Sequence, residues 1–252
     1  MITNTRVDQI LKRPYANQIH IWYAELQQPD EYYVQLEKTL SHDEQKRASL
    51  FYFDHDRRRF VTSRAILRTI LGHYLEIAAE ECRFVYQKYG RPELDPLHHS
   101  SLRFNVSHSY ELAIYAFSDA WTVGIDIEYV RLLADMEQLA KRCFSAREYS
   151  FFLTLPEEQR QEAFFRYWTF KEATVKALGD GLRYSLERID VGALPDDQES
   201  SILLALPNET ELRSLWRLHP LRPSQGYKAT IALAERRGVQ PQDLIRVWNE
   251  PF

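Results

Sequence analysis

Between Trp121 and Glu128 apolar and polar residues alternate without a break. Val123, Ile125 and Ile127 share one face of the strand this predicts, and Thr122, Gly124, Asp126 and Glu128 share the other. The apolar face reads as core. The polar face carries two carboxylates two residues apart, about 7 Å along the backbone. Gly124 leaves room beside Asp126 for a ligand or another backbone. The simplest reading is a strand with a solvated acidic face. The sharper one is a site for a hard cation, because Mg²⁺ takes one or two carboxylates together with phosphate oxygens.

The rest of the chain gives further elements. Ile19 to Ala24 is apolar enough for a buried strand. Ser41-His42-Asp43-Glu44 is a capping box opening a helix toward Phe53. A second helix is expected from Asp56 to Leu71, stopping near Gly72. Arg83 to Gln87 reads as a strand, Tyr89 to Pro92 as a turn, and Leu102–Val106 and Leu112–Phe117 as strands. The order then recurs. The strand at Val123–Glu128 answers Ile19–Ala24, and Ser145-Ala146-Arg147-Glu148 is a second capping box at the matching distance. A helix from Glu158 to Leu178, ending at Gly179, answers the one ending at Gly72. Strands follow at Leu186–Val191, Ile202–Leu206, Leu215–Leu218 and Lys228–Leu233.

This predicts an α+β fold of two similar halves related by pseudo-twofold symmetry. The divisions are an extension at 1–18, a first half at 19–118, a second at 119–235 and a C-terminal tail at 236–252. Trp22, Ala24 and Ala65 stand where the second copy has Asp126, Glu128 and Glu172. Carboxylates in one copy only imply one active site, with the other half supplying binding surface.

Composition narrows the class. The chain has 252 residues, 44% hydrophobic and 27% charged, which is ordinary globular usage. A net charge of −4 gives no basic field for nucleic acid. Cys82 and Cys143 stand far apart and in no metal-ligand spacing. No run of about 18 apolar residues occurs, so a membrane span is not expected. A cytoplasmic protein is the expectation.

Two more stretches carry chemistry. In Phe164–Lys176, residues Trp168, Glu172 and Lys176 fall on one helix stripe, with Lys171 beside them. Glu172 can complete a three-carboxylate site with Asp126 and Glu128. Lys46, Arg47, Arg57, Arg58, Arg59, Arg64 and Arg68 form a basic cluster on two helices. They cannot all face one ligand, so several are ordinary solvated charges and one or two can bind phosphate. Arg91 in a Gly-Arg-Pro turn and Ser107-His108 at a strand end add donors.

Taken together, these stretches resemble the Sfp-type 4′-phosphopantetheinyl transferases over nearly the whole chain. Gly-Ile-Asp-Ile-Glu stands at 124–128, and Trp-x-x-Lys-Glu-Ala-x-x-Lys at Trp168, Lys171, Glu172, Ala173 and Lys176. Gly90-Arg91-Pro92 matches a family Gly-Lys-Pro, and residues 104–109 match Phe-Asn-x-Ser-His-Ser. The resemblance implies that coenzyme A lies between the halves and that Asp126, Glu128 and Glu172 hold Mg²⁺. A carrier-protein serine then attacks the β-phosphorus, releasing adenosine 3′,5′-bisphosphate. Asp126, Glu172 and Lys176 are the implied catalytic residues, with Glu172 or a water on the metal taking the serine proton. Arg47, Arg59, Arg91, Ser107, His108, Lys171 and Lys176 are the implied contacts to coenzyme A. Arg91 departs from the family lysine, keeping charge but not shape.

The implied partners are coenzyme A and an apo carrier protein of fatty-acid, polyketide, peptide-synthetase or aminoadipate type, with no nucleic acid or membrane. Both halves lie in one chain, so a monomer is expected. Residues 129–144 are the expected carrier docking segment. The competing readings are another Mg²⁺-dependent enzyme on nucleotides, such as a diphosphatase, and a degenerate binding module.

Overall fold

Strand β1 (Ile19–Glu25) is buried at every position but its last. A strand buried on both faces needs a layer on each side. The computed structural model describes residues 14, 18–88, 90–179, 185–194, 201–206, 214–234 and 245–248. After β1 come α1 (Asp30–Lys38), α2 (His42–Ala48), α3 (Asp54–Leu75), the hairpin β2 (Phe84–Tyr86) and β3 (Pro92–Leu94), then β4 (Arg103–Ser109) and β5 (Leu112–Ser118). The chain continues through β6 (Val123–Tyr129), α4 (Met136–Cys143), α5 (Ala146–Thr154), α6 (Glu157–Leu178), β7 (Ile202–Leu206), β8 (Ser214–Leu221) and β9 (Tyr227–Ala234). Strand β10 (Ile245–Trp248), from the segment set apart as a tail, returns to pair parallel with β1.

The main sheets run β10-β1-β5-β4 and β6-β9-β8-β7. They face each other through Ile19, Ile21 and Tyr23 of β1, Ile114 of β5, Ile125 and Ile127 of β6, and Ile231 of β9. Outside the first sheet, Ile66, Ile70 and Tyr74 of α3 pack with Trp22, Tyr115 and Phe117. Outside the second, Phe164, Phe170 and Ala173 of α6 pack with Leu218 and Ala232. The molecule is therefore α+β, two sheets back to back with a long helix on each outer face.

The capping-box glutamates explain why this unit could be used twice. Glu44 accepts from the Ser41 backbone N–H at 3.0 Å and from Arg68 Nε at 2.6 Å. Arg68 also donates to the carbonyls of Ala79 and Cys82. Glu148 accepts from the Ser145 N–H at 2.7 Å, the Val191 N–H at 2.8 Å and Lys171 Nζ at 2.6 Å. Lys171 donates to the carbonyls of Leu186 and Ile189. Arg68 and Lys171 occupy the same position of two 22-residue helices. In each half one buried ion pair ties a short helix, a long helix and the following turn together, with its hydrogen-bonding groups largely satisfied, as burial of charge requires.

Some expected elements differ. Helix α3 does not stop at Gly72 but runs to Leu75 and ends at Glu76, in the left-handed region at φ 56°. Gly72 is instead where the chain folds back closely: a Cβ there would lie 2.8 Å from the Ile77 carbonyl oxygen. The first capped helix ends at Ala48, leaving 50–53 as an exposed loop. The expected strand at Leu186–Val191 is a 3₁₀ turn at Leu186–Arg188, and the carbonyls of Leu186 and of Ile189 just after it serve Lys171.

Candidate active site

Strand β6 ends its sheet, so its outer backbone N–H groups need acceptors. Strand β4 supplies them from side chains. Asn105 Oδ1 accepts from the Ile125 N–H at 2.8 Å, Ser107 Oγ from Ile127 at 3.4 Å and Ser109 Oγ from Tyr129 at 3.1 Å. Alternation on β4 puts these three on one side. The hydroxyls then donate onward, Ser107 to Asp126 Oδ1 at 2.8 Å and Ser109 to Glu128 Oε2 at 2.7 Å. One row of small polar residues thus joins the halves and aims two carboxylates.

Helix α6 closes the other side. It crosses β6 at Gly124, where a Cβ would lie 2.1 Å from the Ala173 carbonyl oxygen and 2.3 Å from the Ala177 nitrogen. The space beside Asp126 therefore admits another backbone, and that crossing brings the Glu172–Lys176 stripe onto the acids. Lys176 Nζ donates to Asp126 Oδ1 at 2.6 Å and to Ser107 Oγ at 2.8 Å.

Asp126 is buried, so the solvated acidic face is excluded, and its Oδ2 has no hydrogen-bond partner among the described residues. Burial, then the Asp126 charge, pushes the Glu128 carboxyl above its ordinary pKa, against the Ser109 hydrogen bond, Arg131 and Lys176. Burial, then Asp126, does the same to Glu172, against Lys176 and with a further push from Glu128. Among the described residues no three metal-binding side chains stand close enough to form a ready-made cage. Yet an orphaned buried oxygen and mutually repelling carboxylates fit a hard divalent cation, which would satisfy the oxygen and relieve the repulsion.

Beside the acids lies a cavity of about 280 Å³, lined by Gly90, Arg91, Phe104, Asn105, Glu172 and Lys176 among others. Arg91 spans to the second half, donating from Nη1 to the Lys176 carbonyl at 2.6 Å. Its Nε is buried and unpaired among the described residues. His108 is exposed on β4. Desolvation, then Lys176, Arg59 and Arg64, lowers its pKa against a weaker pull from Asp126. Arg47 is exposed, its guanidinium 5.2 Å from the Phe60 ring centroid. Arg59 lies 2.6 Å from Glu111 and 3.5 Å from Asp56.

The remaining cations sort themselves. Arg57 pairs with Asp54 and Arg58 with Asp30, while Arg68 is sealed against Glu44. Lys171 requires a correction. It is fully buried on Glu148 and two carbonyls, so it belongs to the packing of the second half and not to a phosphate contact.

With this geometry in hand, likeness to known proteins becomes informative. Residues 25–119 match the family model described as 4′-phosphopantetheinyl transferase, N-terminal, and residues 122–232 match that of the 4′-phosphopantetheinyl transferase superfamily. The chain is 42% identical over 220 residues to the 4′-phosphopantetheinyl transferase HetI of a Nostoc species, covering 87% of this chain and 89% of that protein. The chain belongs to the 4′-phosphopantetheinyl transferase superfamily. The transferase is also 29% identical over 211 residues to Sfp of Bacillus subtilis, covering 84% of this chain and 88% of that one. It is 25% identical over 223 residues to the L-aminoadipate-semialdehyde dehydrogenase-phosphopantetheinyl transferase of Rattus norvegicus, covering 82% and 71%.

Sequence reasoning gave no role in the transferase to Asn105 and Ser109, although both stand in the family motif at 104–109, and none beyond capping to Glu148. The first two were legible as alternate small polar residues with Ser107. Glu148 was seen as a cap but not as the counter-ion of a buried lysine. No helix among the described residues is long and apolar enough to cross a membrane.

Proposed function

We propose that this transferase moves the 4′-phosphopantetheine group of coenzyme A to a serine of an apo carrier protein and releases adenosine 3′,5′-bisphosphate. What carries the reading is the junction of the halves, where Lys176 meets Asp126, the second oxygen of Asp126 is orphaned, and the charges of Asp126 and Glu128 bear on Glu172. Asp126, Glu128 and Glu172 would hold Mg²⁺, which would supply charge neutralisation to the diphosphate. In the reaction a bond forms from the serine oxygen to the β-phosphorus, and the bond from that phosphorus to the bridging oxygen breaks. The serine proton leaves to a base, and Glu172 suits that role because its raised pKa makes it a better acceptor. Lys176 sits where its ammonium can pass from Asp126 to a phosphate oxygen as charge builds on the leaving group.

The basic residues of the first half suit the anionic ends of coenzyme A. Arg47 and His108 are exposed and ready, Arg91 lines the cavity beside the acids, and Arg59 would exchange a carboxylate for phosphate. A second cavity, of about 430 Å³, opens where α6 crosses β9 and is lined by Arg166, Thr169, Thr230 and Lys228 among others. Thr230 pairs with Asp126 and Lys228 with Glu128 across the strands, so two lining residues lie beside the acids in the sheet, and this cavity suits the pantetheine arm. Residues 129–144, with Leu132 exposed, suit the carrier.

The test is the mass of several apo carriers after incubation with coenzyme A and Mg²⁺. A gain of one phosphopantetheine per carrier is expected, with no turnover of coenzyme A alone. Hydrolysis of coenzyme A without carrier would turn the reading toward a diphosphatase. One site per chain also predicts a monomer by light scattering.

A further inference from the structure

The two ion-pair locks are not equal, and the difference lies one turn before the buried cation. In the second half the lock is Glu148 with Lys171, one negative and one positive charge. In the first half Glu44 meets Arg68 at 2.6 Å and also Arg64, whose Nε lies 3.4 Å from the second carboxylate oxygen. Matching the two 22-residue helices end to end puts Tyr167 at the position of Arg64. Tyr167 is neutral, fully buried and satisfied by the Gly192 carbonyl at 2.9 Å. Lock and helix thus work in the second half without a further cation.

Arg64 is not explained by its own contacts. Its side chain is only 10% exposed, and its Nη1 is buried with no hydrogen-bond partner among the described residues. An under-satisfied buried guanidinium is costly to a fold. Its surroundings give a reason. Arg64 stands 6.0 Å from the centroid of Phe60, the ring that also lies under exposed Arg47, and 5.4 Å from that of Phe84. Its charge is felt at His108, where it acts with the same sign as those of Lys176 and Arg59.

We propose that Arg64 is a positioning residue for coenzyme A. It turns a neutral buried pair into an Arg64–Glu44–Arg68 cluster of net positive charge beneath the phosphate-binding face of the first half. The inference rests on the functional reading above. Buried charge is screened much less by salt than surface charge, so a fixed cation beneath the face draws a multiply charged anion even where surface arginines are screened. Because Nη1 is sealed from solvent, Arg64 acts through this field and through the placement of Phe60 and Arg47, not by touching phosphate.

The experiment is calorimetric binding of coenzyme A and of 3′-dephospho-coenzyme A at low and high salt. It compares wild type, two neutral variants (Arg64→Gln and Arg64→Tyr, the latter copying the second half) and the charge-keeping Arg64→Lys. Arg57→Gln, at an exposed pair with Asp54, is the control. Each neutral variant that folds should bind coenzyme A about tenfold more weakly, with a smaller loss for the dephospho form. Arg64→Lys should stay within about twofold of wild type. Either neutral variant suffices, so a folding failure in one leaves the other to decide. Wild-type affinity in a neutral variant, or equal losses in the neutral and lysine variants, overturns the proposal and leaves the transferase reading standing. A wild-type protein that does not bind coenzyme A overturns both.

Discussion

The two halves share an architecture and differ in how closely the long helix approaches the first strand. In the second half α6 lies backbone to backbone on β6, because Gly124 has no side chain to hold it off. Matching the strands by their first residues puts His20 at that position in β1, bonded through Nδ1 to the Tyr74 hydroxyl at 2.7 Å. Trp22 fills the place of Asp126, donating to Tyr74 at 2.9 Å and stacking on Trp248 of β10 with centroids 4.9 Å apart. Helix α3 is thereby held off β1 by the depth of aromatic side chains. The close approach that lets Glu172 and Lys176 reach a strand carboxylate exists only in the second half. A duplicated unit can keep its structural locks in both copies and still confine chemistry to one, through a glycine and the residues beside it.

The largest expected effect separates the equivalent positions. Asp126→Ala should abolish carrier modification, because it removes the buried carboxylate that holds Lys176 and carries the orphaned oxygen, while far-UV dichroism stays native. Trp22→Ala should do the reverse. It empties a buried aromatic site at a cost of about 3–5 kcal/mol of stability, and the protein that remains folded should turn over normally. Loss of turnover per folded molecule in Trp22→Ala would end the division of labour between the halves.

Next come the locks. Lys171→Met strands Glu148 in the core and should destabilise by about 3–5 kcal/mol in denaturant titrations. Affinity for coenzyme A, measured where the variant is folded, should not change. A selective rise in the KM for coenzyme A would return Lys171 to the ligand set.

Smaller again is Gly124→Ala. Its methyl would drive into α6, and overpacking of that kind costs about 1–3 kcal/mol or somewhat more. Because the helix must move, Lys176 and Glu172 move with it. Turnover should therefore fall further than stability, read as rate per folded molecule against Tm. Equal and small losses in both would show that the close crossing is not what sets the site.

Much of this was legible in the chain. The alternation at 123–128 gave β6 and its two faces, and the capping boxes gave α2 and α5, because short-range chemistry fixes such features. What failed depended on chain outside the element itself. Gly72 reads as a helix stop locally, and only the return of residues 77–79 makes it a packing glycine. Helix α1 opens on Pro29, which has no capping side chain, and α4 opens on Asp135 with Gln138 three residues on, a signal that was passed over because 129–144 was read as a docking segment. Lys171 was placed in the site through the family motif it shares with Glu172, although one residue is about 100° of helix turn, off the Trp168–Glu172–Lys176 stripe. The basic cluster could not be sorted from sequence, since its partners Asp30, Glu44 and Glu111 come from other segments.

The finest comparison is between Glu172 and Thr69, which replaces the expected Ala65 as its counterpart because the long helices match end to end, not at Gly72 and Gly179. A threonine there carries no charge, whereas Glu172 carries one that its surroundings resist. Burial and Asp126 raise its pKa above the ordinary 4.5, Lys176 opposes them and Glu128 adds to them. A carboxyl whose folded pKa is raised favours folding fully below the unfolded value. That contribution is lost as pH rises through the folded value. Above the ordinary glutamate value the raised pKa therefore costs the metal-free protein stability. Glu172→Gln removes that cost, so without Mg²⁺ its Tm should exceed that of wild type at neutral pH. The difference should shrink as pH falls toward the ordinary glutamate value, where wild type takes up the proton. Added Mg²⁺ should raise the wild-type Tm more than the variant's, because a ligand stabilises the state that binds it. Scanning calorimetry of both proteins across pH, with and without Mg²⁺, checks each step. A lower Tm for Glu172→Gln at neutral pH without metal would mean that Lys176 outweighs the acids, and that Glu172 is held as a partner and not as a strained ligand.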